Sequence, residues 1–302
     1  MSFIPRSVIL HIMKLTPRPI EKLPPEESPE MEGARRVSVA RYEARSPAAE
    51  PDAVAHEEPL EIQIGASPLA VVMRTPGHDE DLALGFLLGE GIVRSMAEVS
   101  SVRHCTILSR PEAEDNVVRV TVRPGVEIDL EALRRNLFTS ASCGVCGKTS
   151  IESVLKTARA LDDASGFRAD YFYGLPGRLR SAQAIFSETG GLHAAGLFDA
   201  RGTLAVARED VGRHNAVDKV IGWAMRHERV PLTNHTLLVS GRISFEIVQK
   251  ALAARIPVLA AVSAPTSLAV SLAADAGMTL VGFLRGKGMN VYGRKDRIRG
   301  EG

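Results

Sequence analysis

The sequence predicts an α/β protein in which a small N-terminal α+β domain precedes a larger three-layer α/β domain. Three patterns carry that expectation. From residue 192 onward, strand-like apolar runs alternate with amphipathic helical segments. Those runs are apolar nearly throughout, as strands buried on both faces are. Before residue 75, by contrast, apolar and polar residues alternate around a tight turn, which is the signature of antiparallel sheet. A chain of 302 residues, 45% of them apolar, can build one large or two ordinary cores.

The elements are read in chain order. Residues 1–36 are rich in Pro and Glu, as in Pro24-Pro25-Glu26-Glu27-Ser28-Pro29-Glu30, and lack the apolar period of a core element. They are expected to form a disordered N-terminal tail, with Met13 and Met31 as alternative starts. The N-terminal α+β domain is expected over 37–138. Val37 to Tyr42 alternates as a strand, and Leu60 to Ile64 with Leu69 to Met73 reads as a hairpin around Gly65-Ala66-Ser67-Pro68. Asp79 is expected to cap the helix carrying Leu82, Phe86 and Leu87, which Gly89 and Gly91 end. Strands over Val99 to Leu108 and Val117 to Val122 and a short helix over Glu127 to Leu137 complete this domain.

The second domain, 139–302, opens on a cysteine loop and a helix from Lys148 to Leu161, with Ile151, Val154, Leu155, Ala158 and Leu161 at helical spacing. Ala182 to Ser187 is helical, and Leu192 to Phe198 pairs with Thr203 to Ala207 as a hairpin. Helices over His214–His227, Ser244–Arg255 and Ser267–Ala276 then precede strands over Thr236–Val239, Val258–Val262 and Met278–Leu284.

Composition narrows function. With net charge +1 and no long basic run, nothing calls for a nucleic acid or an anionic membrane surface. Val8 to Met13 is too short for a membrane span or a signal core, and three cysteines cannot form a disulfide framework. A cytoplasmic protein is expected, in the compartment where thiols stay reduced.

The chemistry is expected to start at Cys143-Gly144-Val145-Cys146-Gly147-Lys148. A thiol reacts as thiolate, and open glycine backbone, a following Lys and a helix N-terminus all favour that anion. Half a zinc site and a packing pair fit the same spacing, but zinc needs two further ligands, and no second Cys pair or close His pair exists. No structural metal is expected. Cys105, in the apolar run Cys105-Thr106-Ile107-Leu108, reads as a small buried hydrophobe.

Ligands of open α/β sheets lie beyond the carboxyl ends of the strands. Ser240-Gly241-Arg242-Ile243-Ser244, Ser263-Ala264-Pro265-Thr266-Ser267 and Arg285-Gly286-Lys287-Gly288 fall at three such ends. Each alone suits an ordinary capped turn, whereas three on one edge favour an anionic ligand. Arg208-Glu209-Asp210-Val211-Gly212-Arg213-His214-Asn215-Ala216 is either an exposed, ion-paired helix start or part of a site.

Together these segments resemble the FdhD family, accessory sulfurtransferases for formate dehydrogenase. The resemblance rests on Glu58-Pro59-Leu60, Met73 to Asp79, Gly85 to Gly91, Ser142 to Lys148, Thr189 to Ala195, Glu209 to Lys219, Ser240 to Glu246, Gly282 to Gly286 and Met289 to Tyr292, in family order over about residues 37–293. It implies a cytidine-deaminase-like α/β second domain. It also implies a sulfur carrier that takes persulfide sulfur from a cysteine desulfurase and passes it to the molybdenum bis(molybdopterin guanine dinucleotide) cofactor, as a bound client, before formate dehydrogenase receives it. In family terms Cys143 matches the persulfide carrier and Cys146 its partner, while Phe283, Leu284, Arg285, Gly286, Lys287 and Gly288 match the segment that binds the guanine dinucleotide part. Homodimerisation stays open. A deaminase is disfavoured because His193-Ala194-Ala195 lacks the glutamate of His-X-Glu. A thiol-disulfide oxidoreductase, or a cofactor-binding chaperone without sulfur transfer, are the alternatives.

Overall fold

The computed structural model describes residues 32–43, 46–105, 115–128 and 160–300. Four expected features lie wholly or partly outside these: the tail up to residue 31, the strand beyond Cys105, the helix from 127 to 137, and the cysteine loop with the helix from 148 to 159.

Two strands, β1 (Ala34–Glu43) and β2 (Ser46–Ala55), form an antiparallel ribbon. β1 starts two residues before Arg36, within the stretch read as tail. Gly33, at φ 91, is buried against Ile185 and Thr75, and Ala34 is buried next to it.

The expected hairpin is β3 (Glu58–Ile64) and β4 (Ser67–Arg74), with Gly65 in left-handed backbone at its turn. Strands β5 (Val99–His104) and β6 (Val117–Val122) complete a four-stranded sheet of order β4-β3-β6-β5, in which β3 and β6 are parallel. Its inward residues, Leu60, Ile62, Val118 and Val120, are fully buried. Helix α1 (Asp79–Gly89) lies in the same core and is apolar nearly all round, because it is covered on every side. Asp79 does not cap this helix. His78, at φ 58, occupies the cap position, and the Asp79 carboxylate turns inward to a two-bond pair with Arg74 (3.0 and 2.8 Å). A buried guanidinium requires that partner more than the helix requires a side-chain cap.

Outside the larger sheet lie a short strand, β7 (Phe167–Arg168), which pairs with Ile298–Arg299, and helix α4 (Ala184–Thr189). The larger sheet has the order β13-β12-β11-β10-β8-β9. It comprises β8 (His193–Phe198), β9 (Leu204–Asp210), β10 (Thr236–Val239), β11 (Val258–Ala261), β12 (Thr279–Arg285) and β13 (Gly288–Gly293). β10, β11 and β12 run parallel, and β8, β9 and β13 are antiparallel to their neighbours. Alternate residues serve two cores. Leu237, Val239, Leu259 and Leu280 face α5 (Arg213–Arg226), α6 (Phe245–Ala253) and α7 (Ser267–Asp275), whereas Leu238, Val258, Ala260 and Val281 face α2 (Ala169–Tyr173) and α3 (Leu175–Ser181). Helices thus cover both faces of this sheet, as a mixed α/β fold requires.

Helix α1 also packs along α5, and glycines set the spacing. A Cβ on Gly85 would stand 1.9 Å from the Asp218 carbonyl oxygen, and one on Gly222 would stand 1.7 Å from that of Asp81. No rotamer change relieves a collision with backbone. Gly222→Ala is therefore expected to lower stability by about 3 kcal/mol or more, read from the urea midpoint. Gly177→Ala, with nothing within 4 Å of the new methyl, should be neutral or slightly stabilising.

Candidate functional site

Parallel β10, β11 and β12 release their following turns at one edge of the large sheet, so the three turns singled out in the sequence meet. Ile243 N–H donates to the Ala264 carbonyl (3.1 Å), Thr266 N–H to Ile243 (2.9 Å) and Phe283 N–H to Ser263 (3.0 Å). β8 runs opposite to β10, which brings its first residue, His193, to the same edge. β9 ends there too, delivering Asp210 and the start of α5. A Cβ on Gly241 would lie 3.4 Å from His193 Nδ1 and 3.8 Å from the Arg213 Cβ.

The turn into α5 is held by buried charge. The Asp210 carboxylate, fully buried, lies 2.7 Å from Lys219 Nζ and accepts from the N–H groups of Thr75 (3.2 Å) and Gly212 (2.8 Å) and from Asn215 Nδ2 (2.9 Å). Lys219 also donates to the Thr75 carbonyl, and Asn215 to that of Met73. Thus the Met73 to Asp79 segment is a clamp on the start of α5. Nothing near it in sequence reveals this, because its partners are some 140 residues away.

The site's ionisable groups are poised unequally. Burial pushes the Glu246 carboxyl up, but hydrogen bonds from His214 and Ser244 outweigh it and hold its pKa at about 2, so it is ionised at neutral pH. Burial lowers the His193 pKa, and the positive fields of Arg213 and His214 lower it further against the opposing pull of Asp210. His193 is thus expected to titrate below its ordinary 6.5 in an NMR pH series. Since the unfolded chain then holds that proton more readily, stability should fall as pH drops through this window. A midpoint above 6.5 would contradict this account of its surroundings.

A pocket of about 250 Å³ opens between Arg213, Arg242, Ser244, Glu246, Thr266 and Leu268. On the other side of Glu246, a cavity of about 730 Å³ lies between α1, α5 and α6, walled by Phe86, Gln249 and the buried Lys250–Asp218 pair (2.8 Å).

Of the site residues expected from sequence, Arg285, Gly286, Lys287 and Gly288 form the exposed β12–β13 hairpin turn, with Gly286 at φ 54. Phe283 is 43% exposed and holds left-handed backbone (φ 55) where the β12–β13 register breaks, a strained conformation for a non-glycine residue. The Leu284 side chain is buried with Phe172 and Leu175 in the opposite core, leaving its backbone for any ligand. Cys143 and Cys146 lie outside the described residues. His193 and His214 show no pair spacing in the sequence; the fold places them at one edge.

The model of the FdhD/NarQ family matches residues 55–299. The chain belongs to the FdhD/NarQ family. Relatives in this family include Sulfur carrier protein FdhD of Mycolicibacterium paratuberculosis, 52% identical over 272 residues, or 89% of this chain and all of that protein. The protein of the same name from Streptomyces avermitilis is 50% identical over 267 residues, covering 87% and 95% of the two chains. Among solved structures, a proposed formate dehydrogenase accessory protein from Desulfotalea psychrophila superposes with TM-score 0.71 at 24% identity, over 88% of this chain and all of that one. At that identity the likeness shows the fold alone.

Proposed function

We propose that this FdhD/NarQ protein is a sulfur carrier for formate dehydrogenase maturation. The observation that carries this reading is the match to proteins named Sulfur carrier protein FdhD at about half identity over most of the chain. In it, the Cys143 thiolate attacks the outer sulfur of a persulfide on a cysteine desulfurase. A new S–S bond forms on Cys143, the donor's S–S bond breaks, and the donor cysteine leaves as thiolate, so no external oxidant is needed. Passing the sulfur on as sulfide takes two electrons. The Cys146 thiolate, three residues along, can supply them by closing a disulfide with Cys143.

The recipient in this reading is the molybdenum bis(molybdopterin guanine dinucleotide) cofactor, written as the carrier's client. The exposed Arg285-Gly286-Lys287-Gly288 turn suits its nucleotide end: glycine lets backbone N–H groups approach oxyanions, Arg offers a forked donor and Lys a point charge. The test is a transfer assay with radiolabelled cysteine, a desulfurase and the purified cofactor. Label reaching the cofactor in the presence of this protein, and not in its absence, supports the reading; label that stops on the desulfurase overturns it.

A further inference from the structure

The cavity between α1, α5 and α6 borders a buried acceptor whose hydrogen bond is missing. Asp218 on α5 and Lys250 on α6 are 2% and 6% exposed, and Lys250 Nζ lies 2.8 Å from each carboxylate oxygen. Its hydrogen bond goes to Oδ2. Oδ1 accepts none among the described residues, and a buried acceptor left unmade costs free energy. Asp218 lies on the cavity wall, and so does Gly89, which as a glycine puts no side chain between the ion pair and the open volume. A Cβ at Gly89 would stand 3.1 Å from Lys250 Nζ and 3.6 Å from Asp218 Oδ1.

The rest of the wall decides what supplies the donor. Phe86, Leu88, Val93, Leu252 and Leu272 make it largely apolar, and its volume of about 730 Å³ suits a small organic molecule. The formal charges on the wall cancel, Glu90, Asp218 and Glu246 against Arg94, Lys250 and Arg255. An ionic ligand would therefore give up its hydration for no net attraction, whereas an uncharged ring gains from burial without that cost. We propose that this cavity is a binding site for an uncharged aromatic molecule carrying one N–H or O–H donor, with its ring on the apolar wall beside Phe86 and its donor on Asp218 Oδ1. Lys250 holds the carboxylate in place through Oδ2. The site stands on the cavity and the ion pair alone, so it does not rest on the sulfur-carrier reading.

Calorimetry with indole and benzofuran tests this, since the two rings share a shape and only indole has the N–H. Wild-type protein is expected to bind indole about tenfold or more tightly than benzofuran. Ala253→Phe, which pushes a ring into the cavity from α6, should abolish binding of both. The double variant Asp218→Leu with Lys250→Met replaces the buried pair by apolar side chains of similar size, a change that folded proteins often accept. In it, indole and benzofuran should bind alike. No measurable indole binding, or equal affinities in the wild type, would show that water alone serves Oδ1 and would overturn the site. Indole binding unchanged in a folded Ala253→Phe, or an indole preference that survives in the double variant, would overturn it as well. Where the double variant fails to fold, the ratio of the two affinities in the wild type still decides, because it needs no substitution.

Discussion

Replacing Cys143 with Ala is expected to abolish formate dehydrogenase maturation while the protein remains folded. The loss should be complete because the step needs a sulfur nucleophile, and alanine leaves none at that position. The chain's third cysteine cannot substitute. Cys105 is buried, and its N–H donates to the Val117 carbonyl of β6. Cys105→Ala should therefore mature the enzyme normally. The readout is formate dehydrogenase activity in cells whose own carrier gene is deleted and which carry each variant. Normal activity with Cys143→Ala would remove the persulfide and, with it, the thiol-disulfide alternative.

Asp210→Ala is expected to have the largest effect on stability, about 3–5 kcal/mol, because it strips a buried ammonium of its counter-charge. Lys219 is 1% exposed, and after the substitution its remaining partners are carbonyls, chiefly that of Thr75 at 2.8 Å. Three further donors, on Thr75, Gly212 and Asn215, lose the same acceptor at once. The start of α5 should loosen with them. Urea denaturation should show this as a lowered midpoint. The Arg168–Asp170 pair provides the contrast. It is about as short (2.9 Å), but its side chains are 58% and 47% exposed, so water replaces either partner and Asp170→Ala should not measurably change stability. A near-neutral Asp210→Ala would show that the buried pair is not what fixes the turn.

The sequence made the large sheet legible because its strands and helices repeat one unit, each long enough for its period to show. The β3–β4 hairpin was legible for the same reason, with Gly65 marking the turn. Other parts were hidden for physical causes. Helices α2 and α3 run five and seven residues, too short for a 3.6 period, and hold their place through the clustered rings of Phe167, Tyr171 and Phe172. Strand β2 carries Pro47 and Pro51 among acidic residues, which reads as a break; in a two-stranded ribbon, each strand has one edge where a missing N–H goes unnoticed. At the site, three strand-end turns could be placed on one edge from chain order alone. His193 could not, because its arrival depends on β8 running against β10, and the Thr75–Asp210–Lys219 clamp joins segments that carry no mark of each other. Asp79 was misplaced as a cap because an acidic residue before an apolar helix suits that role locally, while its buried partner Arg74 is visible only in the fold.

Intact-mass spectrometry of the protein after incubation with a cysteine desulfurase and cysteine tests the central claim most directly. The account predicts a gain of one sulfur atom per chain, mapped to Cys143 by peptide fragmentation, removed by a reducing thiol and absent from Cys143→Ala. A chain that gains no sulfur under conditions in which the desulfurase turns over, or one that carries it equally well without Cys143, would contradict the account.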